Sequence, residues 1–324
     1  MAERTVAVVG AGSIGVAFCV LFAKAGFRVR LWDAYPEALP RAEKDIVDRL
    51  ELLRRHGLLE EPVSVVAERV SSHRVLLGAL RGAQLVQECA PETLAIKEEL
   101  FDEIGAYSEP GAVLASSSSA IPASRFAESN PSRERILIAH PGNPPYLIPV
   151  IEVVPSEFTA KEPIARAIRI YRETGLRPVL VEKEVEGFVF NRLQGALLRE
   201  AYCLLRDGVA TVEGIDEVVR NGLGRRWSFM GPFETVDLNT RGGIASHAEK
   251  MGPAYARMGA ERGQHDVWAS DLVAQADAQR RECLPLSKWA ERVQWRDEQL
   301  MRLSRLFDLP QESAGTPTLE ENAS

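Results

Sequence analysis

Hydrophobic and polar positions follow two rhythms along this chain, and the change between them falls at Gly187. Before it, short runs rich in β-branched residues alternate with stretches of helical spacing, the pattern of parallel strands joined by crossover helices. Residues 6–9 read as the first strand and 16–24 as the helix after it. Residues 28–32 form a second strand, and 36–55 predict a long charged helix with Ile46, Leu50 and Leu53 on one face. Residues 58–69 predict a helical hairpin, more than a simple crossover requires; it either covers bound ligand or is a solvated pair. Further strands fall at 85–89, 112–115, 136–139, 149–154 and 178–181. One helix carries Lys97, Leu100 and Phe101. Another starts near Pro163, places Ile164, Ala167, Ile168 and Tyr171 on one face, and ends at Gly175.

Past Gly187 the pattern is almost entirely helical. Phe188, Leu193, Ala196, Leu197, Ala201 and Leu204 give residues 188–205 an apolar face that ends before Gly208. Thr211 caps the next helix, which stops at Asn221-Gly222, and 290–306 predict a final amphipathic helix. The composition of 310–324 is that of a disordered tail. The expected architecture is α/β: a doubly wound sheet of Rossmann type over residues 1–187, an all-helical domain over 188–309, and the tail.

The first strand runs into Gly10-Ala11-Gly12-Ser13-Ile14-Gly15, with glycines at G-x-G-x-x-G spacing. In a dinucleotide site Gly10 permits the tight turn, Gly12 lets a pyrophosphate approach the backbone, and Gly15 lets helix and strand pack closely. The phosphates sit on free N–H groups at the helix N-terminus. Asp33 closes the second strand 21 residues beyond Gly12, the spacing of an acid that holds a ribose 2′-OH. Its carboxylate would repel a 2′-phosphate, which favours NAD over NADP.

The chain has 324 residues, 45% of them hydrophobic, enough for two domains with real cores. A net charge of −7 gives no electrostatic case for nucleic acid or an anionic membrane. No apolar run approaches the roughly 20 residues that span a bilayer, and a strand beginning near residue 5 leaves no room for a signal peptide. Cys19, Cys89, Cys203 and Cys283 lack C-x-x-C spacing and read as reduced thiols of a cytoplasmic protein. No spacing of His, Cys and carboxylates resembles a metal site.

Loops after the carboxyl ends of the strands line the crevice of such a sheet. Glu92 and Lys97 fall there, as cofactor contacts or as a helix-terminal acid with a surface lysine. Ser116 to Ser119 fall there too, either a simple turn or a set of hydroxyls facing the crevice. His140 stands at the end of one strand and Glu152 in the next, 12 residues away across one turn stiffened by prolines. A histidine is the natural base for a hydroxyl proton, and a carboxylate on its other ring nitrogen fixes the tautomer. The alternative is a buried histidine satisfied by backbone.

The glycine motif, Glu88-Cys89-Ala90-Pro91-Glu92 with Lys97, the serine tract, His140-Pro-Gly-Asn143-Pro, Glu152 and Gly187-Phe-Val-Phe-Asn191-Arg192 resemble the L-3-hydroxyacyl-CoA dehydrogenase superfamily, from residue 5 to about 308. Four segments are most similar to its lambda-crystallin branch, which includes L-gulonate 3-dehydrogenases: the serine tract, Pro141, Gly222-Leu-Gly-Arg225-Arg226-Trp227 and Trp295-Arg-Asp-Glu298. The resemblance implies His140 as base, Glu152 as its orienting acid, and a tract serine with Asn191 around the reacting oxygen. Matching Pro122 points to Ser118, with Ser119 one step away. Asp33, Glu92, Lys97 and Asn143 are implied on the cofactor side. Arg226, if it faces the crevice, would bind a free carboxylate bidentately, which a thioester does not offer. The implied activity is NAD-dependent oxidation of the 3-hydroxyl of a free hydroxy acid, L-gulonate to 3-dehydro-L-gulonate first. The alternatives are a short-chain L-3-hydroxyacyl-CoA substrate, an L-carnitine-type substrate, or a non-catalytic NAD(H)-binding structural protein. A homodimer through the helical domain is implied as well.

Overall fold

The computed structural model describes residues 4–263, 270–289, 291, 292 and 295. By internal contacts the chain divides into two compact units, residues 1–199 and 200–324. In the first, β1 (Thr5–Val9) leads through the glycine turn into α1 (Ser13–Lys24), and β2 (Arg28–Trp32) comes next. Every residue of α1 from Gly15 to Ala23 is buried. A helix apolar all round must be covered on all sides, and α1 lies against β1, β2 and α2 (Leu39–Arg55). Ile46, Leu50 and Leu53 of α2 are buried as expected, together with Ala42.

The excursion after α2 is not a helical hairpin. It holds one short helix, α3 (Val63–Ala67), and Leu59, Val63 and Val66 are buried in the core shared with α1 and α2. A strand β3 (Val70–His73) and a helix α4 (Leu76–Leu80) come after it, neither of them expected from the pattern. Val-Ser-Ser-His carries one apolar residue, and a four-residue edge strand facing partly to solvent needs no more.

The rest alternates as expected, apart from the short helix α6, which the pattern did not predict: β4 (Leu85–Glu88), α5 (Leu94–Tyr107), β5 (Val113–Ser116), α6 (Ser124–Ala127), β6 (Ile136–Pro141), β7 (Val150–Pro155), α7 (Lys161–Glu173) and β8 (Arg177–Leu180). The sheet order is β3-β2-β1-β4-β5-β6-β7-β8, parallel throughout except for the antiparallel pair β6/β7. Its first six strands have the doubly wound order that opens a crevice at the carboxyl ends. Val6 and Val8 point to a core with α1, α2 and α7, whereas Ala7 and Val9 point to the opposite one with α4, α5 and α6. Alternation of side chains along β1 sends neighbours to opposite faces. Phe22 ties the first core together, its ring 5.8 Å from those of Phe18 and Phe27 and 6.5 Å from Tyr171.

α8 (Phe190–Arg206) begins in the first unit and continues into the second. Phe188 is not part of it; it precedes the helix and is buried in the core of the first unit. The second unit holds α9 (Val212–Val218), α10 (Gly224–Trp227), α11 (Pro232–Asn239), α12 (Gly243–Glu261) and α13 (Ser270–Cys283), with no strand among its described residues. Thr211 caps α9, its hydroxyl accepting from the Gly214 amide. The chain does not stop at Asn221-Gly222: Val219–Leu223 continue as a π-turn into α10. Gly224 permits this, because a Cβ there would stand 2.9 Å from the Val219 carbonyl oxygen. Except for 291, 292 and 295, the expected helix at 290–306 and the tail at 310–324 lie outside the described residues. Among those described, no helix is long and apolar enough to cross a membrane.

Two glycines of the turn have opposite surroundings. A Cβ on Gly15 would stand 1.8 Å from the Gly10 carbonyl oxygen, whereas one on Gly12 would meet nothing within 4 Å. Gly15→Ala is therefore expected to lower the unfolding free energy by at least about 2 kcal/mol, with Gly12→Ala within about 0.5 kcal/mol of wild type. Urea unfolding checks the pair. NADH titration of Gly12→Ala should show weakened binding in a protein of normal stability.

Candidate active site

A cavity of about 690 Å³ opens at the carboxyl ends of β1, β2 and β4, lined by Gly10, Ala11, Gly12, Asp33, Arg41 and Cys89 among others. Gly12 caps α1 without any side-chain acceptor, and the first turn of α1, with Ser13, Ile14 and Gly15, holds no acidic residue. Those N–H groups, with the open space over Gly12, fit a pyrophosphate. Asp33 accepts from the Ala11 amide at 2.6 Å on one oxygen and from the Tyr35 amide at 2.8 Å on the other. It thereby stiffens the glycine turn. Arg49, not singled out from the sequence, reaches the carbonyl and hydroxyl of Ser13 at 3.2 and 3.3 Å. A lone arginine in a charged helix carries no signal of that reach.

Glu92, Lys97 and Asn143 are not among the residues lining this cavity. Lys97 is no surface residue; it is fully buried, with its ammonium 3.0 and 3.1 Å from the two carboxylate oxygens of Glu88. The same carboxylate accepts from the Ala90 amide at 2.6 Å and from the Ser116 hydroxyl, so β4, α5 and β5 meet in one buried ion pair. Glu92 accepts from the Ser118 hydroxyl and the amides of Ser119, Ala120 and Ile121. Burial pushes its carboxyl up, but Ser118, the Ile121 amide and the Lys97 charge outweigh that and hold it below the ordinary range. Asn143 is exposed in the β6–β7 turn, before a cis Pro144.

β6 and β7 place His140 directly opposite Glu152, with Nδ1 2.8 Å from the carboxylate. Both side chains are buried. The other Glu152 oxygen accepts from the amides of Val189 at 2.7 Å and Phe190 at 3.0 Å. Burial alone would raise this carboxyl; the hydrogen bonds from His140, Phe190 and Val189 lower it on balance. An ionised Glu152 fixes the proton on Nδ1 and leaves Nε2 as the free base. Asn191 donates to the Ser119 carbonyl at 3.1 Å, which brings Ser119 and Asn191 together in the first unit. Ser118 is buried, and its hydroxyl is engaged with Glu92 and with both backbone groups of Ile121. Ser119 is half-exposed.

Arg226 belongs to α10 in the second unit, is half-buried, and makes no side-chain hydrogen bond or ion pair with the described residues. No group of three or more His, Cys, Asp or Glu among the described residues is arranged to hold a metal.

Two family models match: 3-hydroxyacyl-CoA dehydrogenase, NAD binding domain, over residues 5–185, and 3-hydroxyacyl-CoA dehydrogenase, C-terminal domain, over 187–282. Lambda-crystallin of Oryctolagus cuniculus is 34% identical over 309 residues, 94% of this chain and 97% of its own. L-carnitine dehydrogenase of Streptomyces coelicolor is 39% identical over 252 residues, 78% of each chain. A solved NAD-dependent dismutase, the 5-dehydrogenase of a formyl-hydroxy-methylpyridine carboxylic acid, is similar with a TM-score of 0.71 at 25% identity, covering 94% of this chain and 99% of that one. These matches make the chain an NAD-dependent oxidoreductase acting on CH–OH groups. It belongs to the 3-hydroxyacyl-CoA dehydrogenase family, in the lambda-crystallin branch.

The buried ion pair yields a sharp expectation. Lys97→Met leaves the Glu88 carboxylate buried without its counter-charge and should cost about 3–5 kcal/mol, most of it recovered in the double variant with Glu88→Gln. Urea unfolding of the three proteins measures the difference.

Proposed function

We propose that the chain oxidises the 3-hydroxyl of a free hydroxycarboxylic acid, with L-gulonate going to 3-dehydro-L-gulonate as the leading reaction. The observation that carries the free-acid reading is Arg226, a half-buried guanidinium with no counter-charge among the described residues. A planar fork of donors in that state is a ready partner for a carboxylate. The similarity to an L-carnitine dehydrogenase, named for a free 3-hydroxy acid, supports the same class.

NAD, held by Gly10 to Gly15 and Asp33, supplies the hydride acceptor. His140 takes the hydroxyl proton on Nε2, and Glu152 stabilises the imidazolium that results. The half-exposed Ser119 hydroxyl and the Asn191 amide position the reacting oxygen. Ser118 is assigned instead to holding the loop, since its hydroxyl is already engaged. The free thiols of Cys19, Cys89 and Cys203 support a cytoplasmic setting.

The reading is tested by NADH formation with L-gulonate, L-3-hydroxybutyrate, L-carnitine and L-3-hydroxybutyryl-CoA side by side. Turnover is expected on free acids. His140→Ala should lower kcat by about 100-fold or more. Arg226→Ala should raise KM for the acid about 10-fold or more, as loss of a charged hydrogen bond does. Preference for the thioester, indifferent to Arg226→Ala, would sink the carboxylate anchor.

We also infer a homodimer built on α8. The helix buries none of its side chains, and Tyr202 is 70% exposed beside exposed Leu198 and Leu205, four and three positions away on the same face. An apolar stripe of that length calls for a partner surface. Sedimentation should find twice the 35.7 kDa chain mass, and Leu198→Glu with Tyr202→Glu should return monomer.

A further inference from the structure

Gly187 and Phe188 both have positive φ, 75° and 47°. Glycine adopts that conformation freely; a bulky side chain rarely does. Phe188 is nonetheless fully buried, in the cluster that holds Ile138, Val154 and Val181. Two left-handed residues in succession turn the chain sharply, and the segment beyond the turn converges on the catalytic pair. The next two amides, Val189 and Phe190, both land on one oxygen of Glu152. The Phe188 ring lies 5.7 Å from the His140 imidazole at 53°, and the Phe190 ring 6.1 Å away at 83°. Asn191 comes next and reaches Ser119.

Building on the proposed hydroxyl oxidation, we propose that Phe188 is a positioning residue for it: its left-handed backbone aims two amides at Glu152, and its ring sets the plane of the His140 imidazole. With one carboxylate oxygen fixed by two N–H groups, the other is left for Nδ1, and Nε2 faces away as the base. Tilted and perpendicular rings on the imidazole are favourable aromatic geometries and resist a ring flip. Glycine would make the same turn without strain. The strained phenylalanine is thus accounted for by what its ring does.

Phe188→Val and Phe188→Gly separate turn from ring, because a β-branched residue opposes positive φ and glycine permits it. Full-length protein is compared by NADH affinity, by kcat and KM on the best hydroxy acid with NAD+ as oxidant, and by the Nδ1 proton resonance of ¹⁵N-histidine-labelled His140 in the NADH-bound form. In Phe188→Val kcat should fall about 100-fold with the resonance lost, and in Phe188→Gly about 10-fold with it kept, KM and NADH affinity staying within about twofold in both. Should Phe188→Val not fold, Phe188→Gly with wild-type kcat overturns the proposal. So does Phe188→Val with kcat and resonance intact, or NADH affinity falling in step with kcat in both variants. The resonance is read without turnover. A wild type inactive on every hydroxy acid, yet losing the signal in Phe188→Val, would overturn the oxidation and leave the positioning standing.

Discussion

Where a parallel sheet ends at its carboxyl edge, the backbone leaves the ladder and its amides need new acceptors. Here four carboxylates supply them. Asp33 takes the amides of Ala11 and Tyr35, Glu88 that of Ala90, Glu92 those of Ser119, Ala120 and Ile121, and Glu152 those of Val189 and Phe190. Three of them have a second partner: Glu88 the Lys97 ammonium, Glu92 the Ser118 hydroxyl and Glu152 the His140 ring. The loops of the crevice are therefore ordered by the same groups that give it chemical character. Removing one acid would loosen a loop and alter the site together.

The electrostatic character of each acid is set by the groups that face it. Glu152 and Glu92 are desolvated, which alone favours the protonated form, yet amide and hydroxyl donors hold both carboxyls low. A carboxyl depressed in the folded state stabilises the protein above its unfolded value, about 4.3 for Glu, and that contribution disappears as pH falls through the folded value. At neutral pH Glu152 is thus anionic. A protonated Glu152 could not accept from Nδ1 in the same way, so His140 would lose the partner that fixes its tautomer.

Much of this was legible in the chain. The run 6–9, the glycine spacing and Asp33 gave β1, α1 and β2 with the cofactor cradle, because tight turns leave few choices of residue. The 12-residue separation of His140 and Glu152 across a short turn offered their pairing beside the alternative of a histidine satisfied by backbone, and the antiparallel register of β6 and β7 sets the two opposite each other. The features that stayed hidden depended on partners distant in sequence. β3 has no apolar alternation because it is an edge strand. Lys97 looks like a surface lysine until Glu88 comes to it from another element. Phe188 fits the apolar periodicity of the helix it precedes, and only the backbone conformation separates it. Asn221-Gly222 carries a stop signal, but a π-turn absorbs it.

The serine tract shows how burial decides roles among identical residues. Ser116 and Ser118 are both buried, the first on Glu88 and Lys97, the second on Glu92 and Ile121. Ser117 and Ser119 are half-exposed. Matching Pro122 selected Ser118, which lies on the inward side. Ser119 lies on the more open side, where its backbone carbonyl accepts from the Asn191 side chain. The two buried serines thus hold the loop, Ser116 against Glu88 and Ser118 against Glu92.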